Sequence, residues 1–185
     1  MKQHFLYSSH YWFSQYFQYN FYCTYLFSLY NNRWGVTRAP DTIVDELKTM
    51  LYLGLMNNPG QEADFEEVTE KQTKAALPLF VRDPRINRKA LRTLKSMHEE
   101  WAGVPLVEET AYGLRVYRNH SNLLMHVDRH DTHVISSILH VDHSSDAEPW
   151  PLVIEDFQGN TNEVVLESGD MLFYESSKCL HGRPR

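Results

Sequence analysis

Cysteines, acidic residues near the start of the chain and long apolar runs are what this sequence lacks. Cys23 and Cys179 are the only cysteines in 185 residues, which excludes a disulfide-dense scaffold and a four-cysteine zinc site. No run of about 18 apolar residues occurs, so a clean membrane-spanning helix is not supported. Residues 1–40 contain no acid, so all 24 acidic residues lie further along the chain. That negative remainder argues against nucleic acid as a partner, because phosphate binding requires clustered Lys and Arg.

The beginning of the chain is instead rich in aromatic residues. Of the 24 Trp, Tyr and Phe residues, 13 fall within residues 1–30. Polar residues interrupt them, and the Leu-rich core and small-residue cleavage site of a secretory signal are missing. We therefore set residues 1–39 apart as an extension: a wrongly assigned start, which we favour, a disordered segment or a weak signal anchor. Membrane contact is expected only if residues 1–32 form that anchor, which would place the domain in the ER lumen instead of the cytoplasm.

Two amphipathic helices are predicted within residues 41–103. Asp41 is a good N-cap for the first helix, which should end near the segment NNPG at residues 57–60. Asp83 caps the second helix, with a proline at its first position, and Gly103 ends it. These helices form the first part of the folded domain.

After residue 103 the pattern changes to short β-like runs that are separated by turn signals. The runs are YGLRVY (112–117), NLLMHV (122–127), HVISSILHV (133–141), PLVIEDF (151–157), EVVLE (163–167) and DMLFYE (170–175). Helices followed by many short strands predict a mainly β (α+β) domain over residues 40–185, with packed N-terminal helices. Its core, residues 111–185, should be an antiparallel double-stranded β-helix, or jelly roll.

Two H-x-D triplets lie among these strands, and a late histidine, His181, follows them. The triplets run from His126 to Asp128 and from His140 to Asp142. Residues i and i+2 of a strand face the same way, so either triplet could present an imidazole and a carboxylate to one metal. A histidine from a distant strand would complete a 2-His-1-carboxylate triad, which leaves three positions open on non-haem Fe(II).

The residues around the first triplet resemble the catalytic core of the iron(II)- and 2-oxoglutarate-dependent dioxygenases, in the prolyl 4-hydroxylase-like branch. The resemblance rests on YGLRVYRNHSNLLMHVDRH, then THVISSILHV, then ESGDMLFYESSKCLHGRP. That branch has a tyrosine-bearing strand, a short loop, H-x-D at the end of the next strand, and a G-D turn before the distal histidine. The resemblance implies His126, Asp128 and His181 as the metal ligands. It leaves His140 and Asp142 at a strand end and its loop.

The resemblance also implies a reaction and its cofactors. The expected activity is hydroxylation of a C–H bond with Fe(II), 2-oxoglutarate and O2, and ascorbate is a further candidate cofactor. Asp128 favours hydroxylation, since related halogenases lack this acidic ligand. Tyr117 is implied as a contact of 2-oxoglutarate, and Arg115, which shares its strand face by alternation, is a second candidate for binding it. A peptidyl proline is the leading substrate, with other peptide and small-molecule substrates open.

One family feature is missing from the sequence. The family anchors the distal carboxylate of 2-oxoglutarate with a Lys or Arg well beyond the distal histidine, and this sequence ends at Arg185. We therefore expect a C-terminally truncated chain whose jelly roll lacks its last strand or strands. Arg115 and Arg118 are the nearby substitutes for the anchor, whereas Arg183 is assigned to the loop after the histidine. Two alternatives stay open: a non-catalytic jelly-roll fragment or pseudoenzyme that retains a metal site, and a cupin-like metal enzyme that does not use 2-oxoglutarate.

Overall fold

The computed structural model describes residues 6–14, 33–57, 60–61, 78–118, 121–130 and 132–184. The helices and strands of these residues are, in chain order, β1 (Leu6–Ser14), β2 (Trp34–Arg38), α1 (Asp41–Met56), β3 (Gly60–Gln61), β4 (Leu79–Val81), α2 (Pro84–Ala102), β5 (Val107–Tyr117), β6 (Leu123–His126), β7 (Ile135–His143), β8 (Leu152–Glu155), β9 (Thr161–Val164), β10 (Asp170–Tyr174) and β11 (His181–Arg183). Neither described helix is long and apolar enough to cross a membrane.

The strands form two antiparallel sheets. The larger sheet has the order β2-β10-β7-β1-β5-β4-β3, and the smaller has the order β6-β11-β8-β9. Apolar side chains from both sheets share one core cluster, which contains Ile138 and Leu172 of the larger sheet and Leu152 and Ile154 of the smaller one. The sheets therefore face each other, and the predicted mainly β, jelly-roll-like fold is confirmed.

The two predicted helices are present, with one difference at a cap. The Asp83 carboxylate accepts a hydrogen bond of 2.8 Å from the backbone N–H of Arg85, and Gly103 ends α2 with a left-handed φ of 71°. These are the expected start and stop signals of α2. Asp41, however, is the first residue of α1, and the N-cap is Pro40 without a side-chain hydrogen bond. The negative charge of Asp41 still lies at the positive end of the helix dipole.

The larger sheet separates two apolar layers. On its outer face, Leu114 of β5 and Phe173 of β10 pack in one cluster with Leu47 of α1 and Leu94 of α2. Alternation along each strand sends the intervening side chains to the inner face, toward the smaller sheet. The helices therefore cover one side of the larger sheet, and the other side is left for the space between the sheets.

The structure differs from the expectation for residues 1–39. Leu6–Ser14 lies inside the larger sheet and pairs with β5 on one side and β7 on the other. Trp34–Arg38 pairs with β10. A central strand is covered on both faces, so an uncharged, aromatic segment suits this place. Residues 15–32, which hold most of the proposed anchor, lie outside the described residues.

The pairing of β1 also bears on the expectation that the jelly roll lacks a closing strand. The strand β1 supplies the hydrogen bonds that join β5 to β7, so the larger sheet is continuous between them. The strand that connects β5 to β7 therefore comes from early in the chain. The smaller sheet gains β11, which carries His181 and was not among the six predicted runs.

Candidate metal centre

His126, Asp128 and His181 come together at one end of the smaller sheet. His126 ends β6 and His181 begins β11, and the two residues are direct partners across the antiparallel pair. Asp128 follows in the loop after β6, where its backbone N–H donates a 2.9 Å hydrogen bond to the carbonyl of Ser176. One potential ligand atom from each of the three side chains lies within 4.8 Å of the others. The structure thus brings the three predicted ligands together.

Backbone hydrogen bonds set the orientation of both imidazoles. Nδ1 of His126 lies 2.8 Å from the carbonyl oxygen of Leu124, and Nδ1 of His181 lies 2.9 Å from that of Cys179. A carbonyl oxygen only accepts, so each Nδ1 carries the proton and each Nε2 keeps a lone pair. The two Nε2 atoms are 3.6 and 3.9 Å from Oδ1 of Asp128. Two nitrogen lone pairs and one carboxylate oxygen therefore converge, as the donor set of a 2-His-1-carboxylate site requires.

Burial keeps the distal imidazole neutral. His181 is almost fully buried, and desolvation is the main cause that lowers its pKa to about 4, against the opposing effect of Asp128. A neutral imidazole is the form that binds a metal. The hydroxyl of Tyr174 lies 3.3 Å from Nε2 of His181 and donates to it, since that nitrogen has no proton. Burial raises the pKa of Tyr174 well above its ordinary value, so this hydroxyl keeps its proton.

The two predicted cosubstrate residues lie on the inner face of β5. Leu114 and Val116 pack in the outer core, so Arg115 and Tyr117 face the smaller sheet by alternation. The ring of Tyr117 is buried and meets Trp150 edge to face, with centroids 5.3 Å apart. Arg115 is partly buried, and its charge makes a small contribution to the low pKa of His181, after burial and the charge of His126. Arg115 therefore lies near the candidate centre, and Tyr117 shares its strand face.

The second H-x-D triplet does not join the centre. Among the residues that the structure describes, only His126, Asp128 and His181 form a group with metal-ligand spacing. Nε2 of His140 lies 3.0 Å from Nδ1 of His143, and the carboxylate of Asp142 accepts a 2.6 Å hydrogen bond from the hydroxyl of Tyr52. These contacts belong to the end of β7, where the sequence placed His140 and Asp142.

Two buried residues of the inner space were not assigned to the centre from the sequence. Foremost is His10 of β1, a buried side chain on the inner face, whose neighbour Tyr11 packs in the outer core. Burial lowers the pKa of His10 well below its ordinary value, and the charges of Arg115, His181 and Arg183 add to this effect. The resemblance could not have indicated His10, because it covers only the last part of the chain.

Arg183 is the other unforeseen residue. It lies on β11 two positions after His181, and its side chain is 2% exposed. The resemblance placed it in the loop after the distal histidine. A period-2 reading that started from His181 would have placed both side chains on one face of a strand.

Comparisons with known proteins gave a match in fold and none in sequence. No family model matches the sequence, and no curated protein matches it. A solved structure does match, the crystal structure of a prolyl-4-hydroxylase from Pseudomonas putida. The likeness has a TM-score of 0.59 and covers 83% of this chain and 86% of that chain, at 14% sequence identity. The chain has a prolyl-4-hydroxylase-like fold. At this identity the likeness shows the fold alone, and a possible metal site lies within it.

Proposed function

We propose that this chain is an iron(II)- and 2-oxoglutarate-dependent dioxygenase that hydroxylates a C–H bond. One observation carries the proposal: His126, Asp128 and His181 converge in a fold similar to that of a prolyl-4-hydroxylase. Their two nitrogen lone pairs and one carboxylate match the ligand set of non-haem Fe(II) oxygenases, which leaves positions open for other ligands. When bound, iron(II) with 2-oxoglutarate and O2 supplies oxidative decarboxylation to succinate and CO2, coupled to oxygen insertion into a C–H bond.

The residues of the chain contribute orientation, charge and exclusion of water. His126 and His181 offer Nε2 because their Nδ1 protons are held by backbone carbonyls. Asp128 brings a single negative charge, which supports hydroxylation over halogenation. Tyr174 and the buried strand β11 shield one side of the site from water. We assign Tyr117 to contact 2-oxoglutarate, with Arg115 as a second contact.

A peptidyl proline is the substrate that we propose first. The solved structure with the same fold is called a prolyl-4-hydroxylase, and this name supports the choice. The test incubates the protein with Fe(II), 2-oxoglutarate, ascorbate and proline-containing peptides and looks by mass spectrometry for one added oxygen atom. Succinate formation that requires no peptide, with all peptides unmodified, would assign the chemistry but reject peptidyl proline.

The metal ligands are tested by a matched pair of histidine variants. Equilibrium dialysis should show one Fe(II) per wild-type chain, none for His126→Ala and one for His140→Ala. Both histidines belong to an H-x-D triplet, but only His126 lies in the cluster. Loss of iron in His140→Ala with retention in His126→Ala would overturn the assignment. A chain that binds iron and never forms succinate would instead be the non-catalytic jelly roll.

A further inference from the structure

A buried carboxylate, that of Glu175, lies at the start of the turn that joins β10 to β11, which we call the β10–β11 turn (residues 175–180). Its side chain is 4% exposed. Oε1 is 2.6 Å from Nη1 of Arg33, and Oε2 is 2.8 Å from Nζ of Lys178. Each carboxylate oxygen is therefore paired with its own cation, one from the residue before β2 and one from the turn itself.

Backbone hydrogen bonds close the same turn. The N–H groups of Lys178 and Cys179 donate to the carbonyl oxygen of Glu175 at 2.9 and 2.8 Å, and the N–H of Glu175 donates to that of Arg33 at 3.1 Å. Arg33 thus contacts the turn through its main chain and its side chain. It has a left-handed φ of 54°, which is uncommon for a residue other than glycine. Such a conformation persists only where the surrounding contacts fix it.

The β10–β11 turn holds two of the three candidate metal ligands. The carbonyl oxygen of Ser176 accepts a 2.9 Å hydrogen bond from the backbone N–H of Asp128. The carbonyl oxygen of Cys179 accepts one of 2.9 Å from Nδ1 of His181. The hydroxyl of Ser176 is fixed as well, since it donates to the carbonyl oxygen of His133 at 3.0 Å. The directions of the Asp128 backbone and the His181 ring therefore depend on the conformation of this turn.

Fold stability is a weak explanation for the buried ion pairs. Burying a carboxylate and a guanidinium costs solvation free energy that their attraction only roughly offsets, so well-packed apolar residues would stabilise the turn as well. The strands β2 and β10 have another ion pair at their far end, Arg38 with Asp170 at 2.8 Å, whose side chains are 60% and 19% exposed. Of these pairs, the buried one lies beside the residues that hold the metal ligands.

We propose that Glu175, paired with Arg33 and Lys178, is a positioning residue for the metal centre. It fixes the β10–β11 turn, and two carbonyl groups of that turn orient Asp128 and His181. The inference goes beyond the proposed function and rests on its metal site. Loss of the pairing at Glu175 should therefore weaken metal binding in a chain that is still folded, because the ligands no longer keep one arrangement.

The test changes the two sides of the ion pair in turn. Co(II) is the probe, because its visible absorption changes with the number and geometry of its ligands. Dissociation constants for Co(II) and the spectrum at saturation are measured for the wild type, Glu175→Gln, Arg33→Met, Arg33→Lys and Arg38→Met. Arg38→Met is the matched control, since it breaks the exposed ion pair of the same two strands. Circular dichroism during urea titration checks that each variant is folded under the conditions of the measurement.

The expected loss has the same sign on both sides of the pair. Glu175→Gln and Arg33→Met should each weaken Co(II) binding by about tenfold, the lower end of the usual range for a group that orients a metal ligand, and should change the spectrum at saturation. Charge alone would give opposite signs, because removing an anion weakens the binding of a dication and removing a cation tightens it. Arg33→Lys keeps a cation at the carboxylate and should lose less than about threefold. Arg38→Met should match the wild type.

The other outcomes count against the inference. Unchanged affinity and spectrum in Glu175→Gln and Arg33→Met would overturn it, as would tighter binding in Arg33→Met or an equal loss in Arg38→Met. If Glu175→Gln does not fold, Arg33→Met decides by the same comparison, because Glu175 keeps Lys178 as a partner there. A folded wild-type protein that binds no Co(II) would instead refute the metal site of the proposed function, so the two failures are distinguishable.

Discussion

Replacement of Phe13 by alanine should destabilise the whole domain, although Phe13 lies in a segment that the sequence set apart. Its side chain is fully buried in the outer core, and its ring centroid lies 4.1 Å from that of His98 in α2. Removing a buried Phe side chain costs about 3–5 kcal/mol, from lost transfer free energy and the cavity left behind. The urea midpoint should therefore fall by at least about 1 M, for slopes of about 1–3 kcal/mol/M. Circular dichroism during urea titration measures this change.

Phe157→Ala is the matched control for this prediction. Phe157 is 41% exposed, and its ring contacts are the cations of Arg33 and Lys178 at 5.5 and 5.8 Å. Its loss should cost about 1 kcal/mol. If Phe13→Ala lowers the free energy of unfolding no more than Phe157→Ala, then β1 is not an integral strand and the description of the larger sheet is wrong.

Two further predictions concern titration and metal affinity. Burial lowers the pKa of His98 to about 4, so between pH 7 and 5 the unfolded chain gains a proton that folded His98 does not; stability should fall by about 2 kcal/mol from this group. In His98→Gln, the free energy of unfolding from urea titration should therefore fall less between pH 7 and pH 5 than in the wild type. The same fall in both proteins would contradict this prediction. The Tyr174 hydroxyl competes with a metal for Nε2 of His181, so Tyr174→Phe should tighten Fe(II) binding by about 2- to 10-fold in equilibrium dialysis. Weaker binding would show that Tyr174 supports the bound metal.

The parts predicted well from the sequence are those with a local signal. The helix α2 carries its start and stop residues within the helix sequence, and β5, β7 and β10 coincide with apolar runs. The proximity of His126 and Asp128 was predicted because H-x-D follows the period of a strand. The late histidine was placed by resemblance, since nothing local indicates that β11 returns to β6.

The parts that were missed depend on contacts distant in sequence. The strand β1 has no Asp, Glu, Lys or Arg and belongs to the aromatic segment that we set apart from the domain, yet a strand between two others needs no charged residue. Arg183 was assigned by resemblance to the loop after the distal histidine, and charged residues are rarely buried. Only the approach of Tyr117 and Trp150 explains why this guanidinium lies inside.

The central claim is that His126, Asp128 and His181 hold iron(II) where 2-oxoglutarate can also bind. Anaerobic titration of the wild-type protein with Fe(II) and then 2-oxoglutarate tests it most directly, because a visible charge-transfer band arises only when both bind at one site. The account predicts a band that saturates at one equivalent of iron and is absent in His181→Ala. Fe(II) and 2-oxoglutarate that produce no band with the folded wild-type protein, or an undiminished band in His181→Ala, would contradict it.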